Sequence, residues 1–448
     1  MMRLIGLVCT LFLSVTALAQ ENSPYSRYGL GDLSPSQNIV TRSMGGISAA
    51  YSDYQSVNFV NPAAYGNLSF IRDPKLVRTS LRNTIFDIGA EVDTRTLKST
   101  TPLNKFTSTN LIISYLQLGL PIKMKKANKK GIFLGAGFGL KPVSKINYKI
   151  YKTERVSGVD SLATLYEGSG GLNEVNVGFG LRYKQFNIGI TSGYRFGKKD
   201  YSTKLVLIND TVNYYRSNSS NTSTFGGTFL TIGTQYEWYM KNTSILRVGA
   251  YGSLSQKLNA NQTETRETIT TDAAGNLFRI DSVYQKKSAG VIEYPASIGF
   301  GITYNDSANH WLIGADFEKT FWSSYQFIGQ KDKVQDNWKV RIGGEYFPAK
   351  VNTPIKKYFN FVRYRAGFYY GSDYINIGNN LPEYGFTFGA GFPLKLRKTF
   401  YETQASYLNT AIEIGSRGNK SSNIRESMVR ISVGFSLSDL WFNRSKYY

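Results

Sequence analysis

The sequence holds one cysteine, Cys9, and one histidine, His310. Cys9 lies in an apolar stretch at the N-terminus, so the chain beyond it offers no disulfide, thiol nucleophile or thiolate metal site. One histidine excludes a His-rich metal centre, and a Ser-His-Asp triad would have to be built around His310. No cofactor is expected. Past the N-terminus no run of about 18 unbroken apolar residues exists to cross a bilayer as a helix. Charged residues make up 19%, below the roughly 25% of an ordinary soluble domain. Acidic residues are the scarcer sign, 31 against 53 basic, leaving a net charge of +22.

What is present is aromatic and small. The 448 residues include 32 Tyr, 27 Phe and 43 Gly, with aromatics at 14%. A disordered chain would be poor in aromatics. Met1 to Gln20 has one basic residue (Arg3), an apolar run from Leu4 to Val15 and an Ala17-Leu18-Ala19 cleavage pattern. Residues 1–19 therefore read as a secretory signal peptide; as a membrane anchor the run is short. A strongly basic chain ordinarily points to nucleic acid. Export redirects that charge towards the phosphates of membrane lipids, so outer-membrane lipids are the expected partners and nucleic acid is not.

From Arg78 onwards the period is two. Val175-Asn-Val-Gly-Phe-Gly-Leu-Arg-Tyr183 sets apolar residues against Asn, Gly and Arg, and Phe386-Thr-Phe-Gly-Ala-Gly-Phe392 and Val429-Arg-Ile-Ser-Val-Gly-Phe-Ser-Leu437 do the same. One apolar face and one Gly/Ser/Thr/Arg face mark transmembrane β-barrel strands. About fourteen such segments lie near 78–97, 108–121, 131–152, 171–184, 185–209, 222–240, 243–265, 284–304, 309–322, 335–347, 359–374, 383–396, 402–416 and 425–437. Tight or basic turns, such as Lys123–Lys130 and Lys184-Gln185, alternate with longer polar connections, such as Ser157–Gly170, Asp210–Asn221 and Thr268–Ser282. Outer-membrane barrels alternate short periplasmic turns with longer outside loops. A soluble β-sandwich is the alternative. Aromatics near the strand ends, including Trp238, Trp311, Trp322, Tyr369 and Trp441, favour a membrane girdle.

Residues 20–76 lack spanning alternation and are turn-rich, which suits a plug folded into the lumen of a wide barrel, with residues 77–448 forming the barrel and a short tail. Thr41-Arg-Ser-Met-Gly-Gly-Ile-Ser-Ala-Ala-Tyr51 is rich in small residues, and Asn58-Phe-Val-Asn-Pro-Ala-Ala-Tyr65 contains an Asn-Pro turn. Arg42-Ser-Met-Gly-Gly followed by Asn61-Pro62-Ala63 resembles the N-terminal hatch of the FadL-type (OmpP1/FadL/TodX) outer-membrane transporters. The opening Ser23-Pro-Tyr-Ser-Arg-Tyr-Gly, Glu383 to Leu394 and the closing Leu437-Ser-Asp-Leu-Trp-Phe442 are similar to the Bacteroidetes branch of that family.

The resemblance implies an all-β outer-membrane barrel of about fourteen antiparallel strands with an N-terminal luminal plug. It implies passive transport of hydrophobic compounds such as long-chain fatty acids, by way of a luminal pocket, plug movement and lateral opening. It carries Asn61, Pro62 and Ala63 over as the plug motif, with Arg42, Met44, Gly45, Gly46 and Phe59 as its neighbours. It also implies a kink in the third strand. Here Pro142 sits within the third segment, where it cannot donate to a ladder, and Gly135, Gly137 and Gly139 precede it and permit bending. Pro142 and Gly139 are thus a candidate lateral gate, unless Pro142 simply ends the spanning part.

The family branch also holds barrels that serve protein secretion or outer-membrane assembly. The expected partners are a hydrophobic ligand or other outer-membrane or periplasmic proteins, and both termini are expected to be periplasmic or luminal. No enzyme is expected. His310, in a turn beside Trp311, lacks an evident partner motif, and Asp272-Ala-Ala-Gly-Asn276 lacks calcium-loop spacing. The five lysines of Lys123–Lys130 either hold lipid headgroups or an acidic partner, or merely solubilise a turn.

Overall fold

The computed structural model describes residues 23–71, 79–80, 84–100, 103–155, 161–208, 214–241, 243–272, 277–349, 357–378, 380–394, 406–419, 422 and 424–439. The signal peptide and the C-terminal tail, with Trp441, fall outside the described residues.

Fourteen antiparallel strands close into a barrel. They are β1 (Thr84–Thr100), β2 (Leu103–Ile122), β3 (Ile132–Arg155), β4 (Ser161–Tyr183), β5 (Phe186–Ile208), β6 (Arg216–Tyr239) and β7 (Ile245–Ser253 continued by Gln256–Thr271). Then follow β8 (Leu277–Tyr294 continued by Ser297–Asn305), β9 (Trp311–Thr320), β10 (Asn337–Tyr346), β11 (Arg363–Asn376), β12 (Asn380–Pro393), β13 (Tyr407–Arg417) and β14 (Ile424–Asp439). Each pairs with its neighbour in sequence, and β14 closes on β1 in a ladder from Asp439↔Thr84 to Ile424↔Ser99. Each of the fourteen expected segments contains strand among its described residues.

Alternation sorts the side chains. Along β10, Val340 and Ile342 face outward while Lys339, Arg341 and Glu345 face the lumen. Two aromatic levels frame the apolar band. Trp311 stacks on Tyr346 at 4.5 Å near the short turns, and Trp338 meets Tyr370 at 5.8 Å towards the other rim. Trp338 and Tyr346 are eight residues apart, about 26 Å along the strand, close to the roughly 25 Å band of outer-membrane barrels.

The wall is lopsided. β3 and β6 have 24 residues each, whereas β9 and β10 have 10. At about 3.3 Å per residue that is roughly 80 Å against 33 Å, so one flank rises well past the apolar band. Ser161–Gly170, Arg216–Asn221 and Thr268–Thr271, read above as connections, are strand. Outside the bilayer both faces of a sheet are wet, so the extensions carry Ser, Thr and Asn without alternation. The basic turn between β2 and β3 contains one helical turn, Lys125–Lys129.

Residues 23–68 lie against the luminal side of the wall, and residues 23–71 are built of short elements. They form a 3-10 turn (Pro24–Arg27), a two-residue strand (Asp32–Leu33), one helical turn (Ile39–Arg42) and a 3-10 stretch (Pro62–Ser69). Asn38 caps the helical turn by accepting from the Thr41 amide at 2.9 Å. Gly45 and Gly46 end it with φ of 70° and 89°, the left-handed conformation that glycine adopts freely.

Candidate functional site: the plug and the split in the wall

Asn61, Pro62 and Ala63 fasten the plug near the short-turn end. The Asn61 amide nitrogen donates to the Ala49 carbonyl at 2.6 Å, with the Thr234 and Ala250 carbonyls at 3.2 and 3.3 Å. Its side-chain oxygen accepts from the Ala63 amide at 3.1 Å. One side chain thus ties two plug turns to β6 and β7.

The plug backbone lies directly on the wall because inward positions there are glycine. A side chain on Gly189 would overlap the Pro62 carbonyl, one on Gly180 the same carbonyl and Gly66, and one on Gly135 the Tyr65 carbonyl. Across the barrel Gly343 faces the Met44 carbonyl and Gly367 faces Gly45. Gly135, Gly137 and Gly139, read above as permitting bending, also make room. Gly137 lies under the Tyr65 ring and Gly139 under the Gln117 side chain.

Wall carboxylates grip the plug. Asp316 on β9 accepts from the Ser48 and Ala49 amides at 2.5 and 2.7 Å, and Asp87 on β1 accepts from the Val57 amide at 3.2 Å. Arg42 pairs with Glu91 on β1, to which Ser114 also donates at 2.8 Å. Asp32 sits between Arg95 at 3.1 Å and Arg417 at 3.0 Å. Thr387 accepts from the Gly45 amide at 2.8 Å, and the Gln235 amide donates to the Ala49 and Tyr51 carbonyls at 3.0 and 3.2 Å. Phe59 packs 5.2 Å from Tyr115, with the Lys141 ammonium 5.1 Å from its ring. Met44 is fully buried, and the Gly46 backbone lies against Arg341. The plug residues named from the sequence therefore all sit at the plug–wall contact.

An apolar cluster covers the plug's outer face. The connection between β9 and β10 folds inward, and its Phe327 pairs with Ile292 of β8. Trp322 and Tyr325 from that connection join Tyr374, Leu172, Phe225 and Leu258 of the wall over Tyr25 and Leu30 of the plug. Trp322 and Tyr374 stack at 4.4 Å, and the Tyr374 hydroxyl donates to the Gly31 carbonyl. Asp332 accepts from the Gly29 amide at 2.8 Å. Burial pushes the Tyr25 hydroxyl up to about 12, so it stays a donor, to the Ile424 carbonyl at 2.6 Å.

Beside the plug lies a cavity of about 180 Å³ bordered by Arg95, Arg341, Arg417 and Arg430 and by Asp32, Glu318, Glu413 and Glu426. Its charges are paired: Arg430 with Glu413 at 3.0 Å and Asp93 at 3.1 Å, Arg417 with Glu426 at 2.7 Å, Arg341 with Glu318 at 2.6 Å. These paired charges favour water and ions, and Leu33, Pro35, Tyr369 and Met428 supply the apolar part of the lining. Among the described residues no group of His, Cys, Asp or Glu is disposed to hold a metal ion. His310 sits in its turn, with Nδ1 2.7 Å from the Phe347 carbonyl.

The wall itself splits. β2 and β3 pair only from Ile122↔Leu134 to Leu116↔Leu140. Beyond that, β3 stays paired with β4, with one register shift between Pro142 and Ser144, and β2 stays paired with β1, with one opposite Gly89 and Ala90. Each shift accommodates one extra residue, Ser114 on β2 and Val143 on β3, and such bulges turn a strand away from its neighbour. Gly139 and Pro142 stand at the point of divergence.

Glu91, Asp316 and Gln235 were not singled out in the sequence. Trp322 and Tyr369, expected in the membrane girdle, instead point inward, Trp322 into the apolar cluster over the plug and Tyr369 donating to Glu413 at 2.7 Å. Glu91, Asp93 and Arg95 did carry a signal, charges at every second position of a membrane strand, which is the mark of a luminal face.

The BamG family matches the chain over residues 1–448. The chain belongs to the BamG family. No match was found among curated protein sequences. The fold of this BamG-family chain is similar to that of solved outer-membrane channels. It matches the Pseudomonas putida toluene transporter TodX with a TM-score of 0.54 and 17% identity, over 92% of this chain and 100% of that one. It matches the CymD monoaromatic hydrocarbon channel with a TM-score of 0.50 and 12% identity, over 92% and 99%. A Pseudomonas aeruginosa FadL homologue matches with a TM-score of 0.50 and 12% identity, over 91% and 98%. At these identities the likeness is one of fold: this is an outer-membrane β-barrel of FadL-like architecture.

Proposed function

We propose that this BamG-family barrel is a closed subunit of an outer-membrane machine for protein secretion or assembly, working through its surfaces and not its lumen. The observation that carries the reading is the fastening of the plug. Buried carboxylates, amides and close-set glycines tie it to strands all round the barrel, an apolar cluster lies over its outer face, and the cavity beside it is lined by paired charge. Freeing the plug would strand several buried charges at once, each at a cost of about 3–5 kcal/mol.

A second reading is favoured by the split between β2 and β3. A hydrophobic compound, such as a long-chain fatty acid, would pass a luminal pocket and leave sideways beside Pro142 and Gly139. Gentle detergent extraction of a tagged copy from its native outer membrane, followed by proteomics and lipid mass spectrometry on one sample, separates the two. Stoichiometric protein partners without an enriched lipid support the subunit. A lone barrel carrying a defined hydrophobic compound overturns it in favour of transport.

A further inference from the structure

The two ends of the barrel differ in charge. Six connections join the strands at the end of the short turns: residues 123–131, 184–185, 240–244, 306–310, 347–362 and 394–406. Their sequences hold 13 Lys and Arg against two acidic residues, Asp306 and Glu402. The seven connections at the other end are residues 101–102, 156–160, 209–215, 272–276, 321–336, 377–379 and 418–423. These hold three Lys against five Asp. A general need for solubility would load both ends alike. The basic excess therefore answers to something met at one end only.

The basic residues make a ring and not a patch. Lys126 and Lys130 lie between β2 and β3, Lys184 between β4 and β5, Lys241 between β6 and β7, and Lys357 between β10 and β11, all of them exposed. Five of the six connections carry at least one. Three of these lysines stand beside aromatics of the short-turn girdle. The Lys184 ammonium is 5.2 Å from the Tyr183 ring. Lys241 follows the exposed Trp238 and Met240, and Lys357 precedes Tyr358 and Phe359, the latter exposed by 67%. Trp and Tyr settle at the headgroup level of a bilayer, and lysine stems run along apolar surface to bring the ammonium to that level. Asp306 is engaged by its own turn, where it accepts from the Trp311 amide at 2.9 Å. A protein docks on one sector of a rim, whereas a leaflet surrounds the whole of it.

We infer that this ring holds the phosphates of anionic lipids in the leaflet that meets the short turns, which in outer-membrane barrels is the periplasmic one. An ammonium has three donors and no acceptor, and pairs best with an ionised oxygen such as that of a phosphate diester. The ring fixes the depth at which the barrel sits, because moving it either way separates the lysines from the phosphate plane. The inference concerns the seat of the barrel in its bilayer and holds for either function proposed above.

The test reconstitutes the full chain in vesicles of phosphatidylcholine, alone or mixed equally with phosphatidylglycerol. Heat-dependent gel migration follows melting and shows which variants have folded. The ring variant combines Lys126→Gln, Lys130→Gln, Lys184→Gln, Lys241→Gln and Lys357→Gln. A matched variant combines Arg279→Gln, Lys286→Gln, Lys287→Gln, Lys331→Gln and Lys333→Gln, all exposed and towards the other end. Phosphatidylglycerol is expected to raise the melting temperature of the wild type and of the matched variant by several degrees, less so in high salt. It is expected to leave the ring variant unmoved. An equal rise in the ring variant, or a loss shared by both variants, overturns the inference. So does a wild-type rise that ignores salt. In the native outer membrane, photo-crosslinking benzoylphenylalanine at Lys126, Lys184 or Lys241 is expected to give lipid adducts. Adducts from these sites to a protein, without lipid, overturn the inference in favour of an acidic partner.

Discussion

The carbonyl of Pro62 rests on Gly189, so close that no Cβ fits between plug and wall at that point. Gly189→Ala is therefore expected to lower the apparent melting temperature of the purified barrel by several degrees, an overpacking cost of about 1–3 kcal/mol. Gly252→Ala is the matched control on β7, where an added methyl meets nothing nearer than 3.5 Å. Heat-dependent gel migration of the two variants makes the comparison. Equal melting would mean that the plug does not press on the wall there.

Asn61 offers a sharper contrast. Asn61→Ala removes the donor shared by the Ala49, Thr234 and Ala250 carbonyls, at about 1–3 kcal/mol. Asn61→Asp also loses the donor and faces a carboxylate towards three carbonyl oxygens, so it is expected to cost more. Protease cleavage within residues 23–68, followed by mass spectrometry, reads the order: wild type slowest, then Ala, then Asp.

The Arg42–Glu91 pair is buried on both sides. Arg42→Met or Glu91→Met alone leaves a charge without its principal partner, at about 3–5 kcal/mol. The double variant is expected to cost clearly less than the two added together, because Arg430 keeps Asp93 and Glu413. Urea unfolding of the four proteins closes the cycle. Additive costs would show that the pair contributes no coupling.

Ion conduction tests the closed lumen. The wild-type barrel in planar bilayers is expected to give no steady conductance, and deletion of residues 23–68 to give a stable pore. Replacing Trp322 by Ala opens only the outer apolar cluster, so it should leave the bilayer current unchanged. A wild-type current equal to that of the deletion would remove the case for a closed plug.

Much of this architecture was legible in the sequence because a membrane strand has to show lipid one face. That requirement writes a period of two, as in Val175 to Tyr183, and it placed all fourteen strands. It disappears above the bilayer, which is why Ser161–Gly170 read as a connection and is strand. In the plug segment the small residues around Gly45 and Gly46 and the Asn61-Pro62 turn were local signals, whereas the motif itself came from the family resemblance. Its wall partners were not legible. Asp316 and Gln235 lie far from the plug in sequence, and nothing local marks which luminal polar residue meets which plug amide. The glycines of β3 were visible but their role was not, since room for a neighbouring backbone and freedom to bend leave the same residue in the sequence.

Ser23, the first described residue, donates from its hydroxyl to Glu426 on β14 at 2.6 Å, and Asp32 bridges Arg95 of β1 to Arg417 of β13. The beginning of the chain is thus bound across the seam made by its end. Its Glu426 and Arg417 anchors exist only once the last strands have been placed, some 400 residues later, while Ser26 and Asp32 also hold β3 and β1. The Ser23–Glu426 contact can therefore form only when β14 takes its place beside β1.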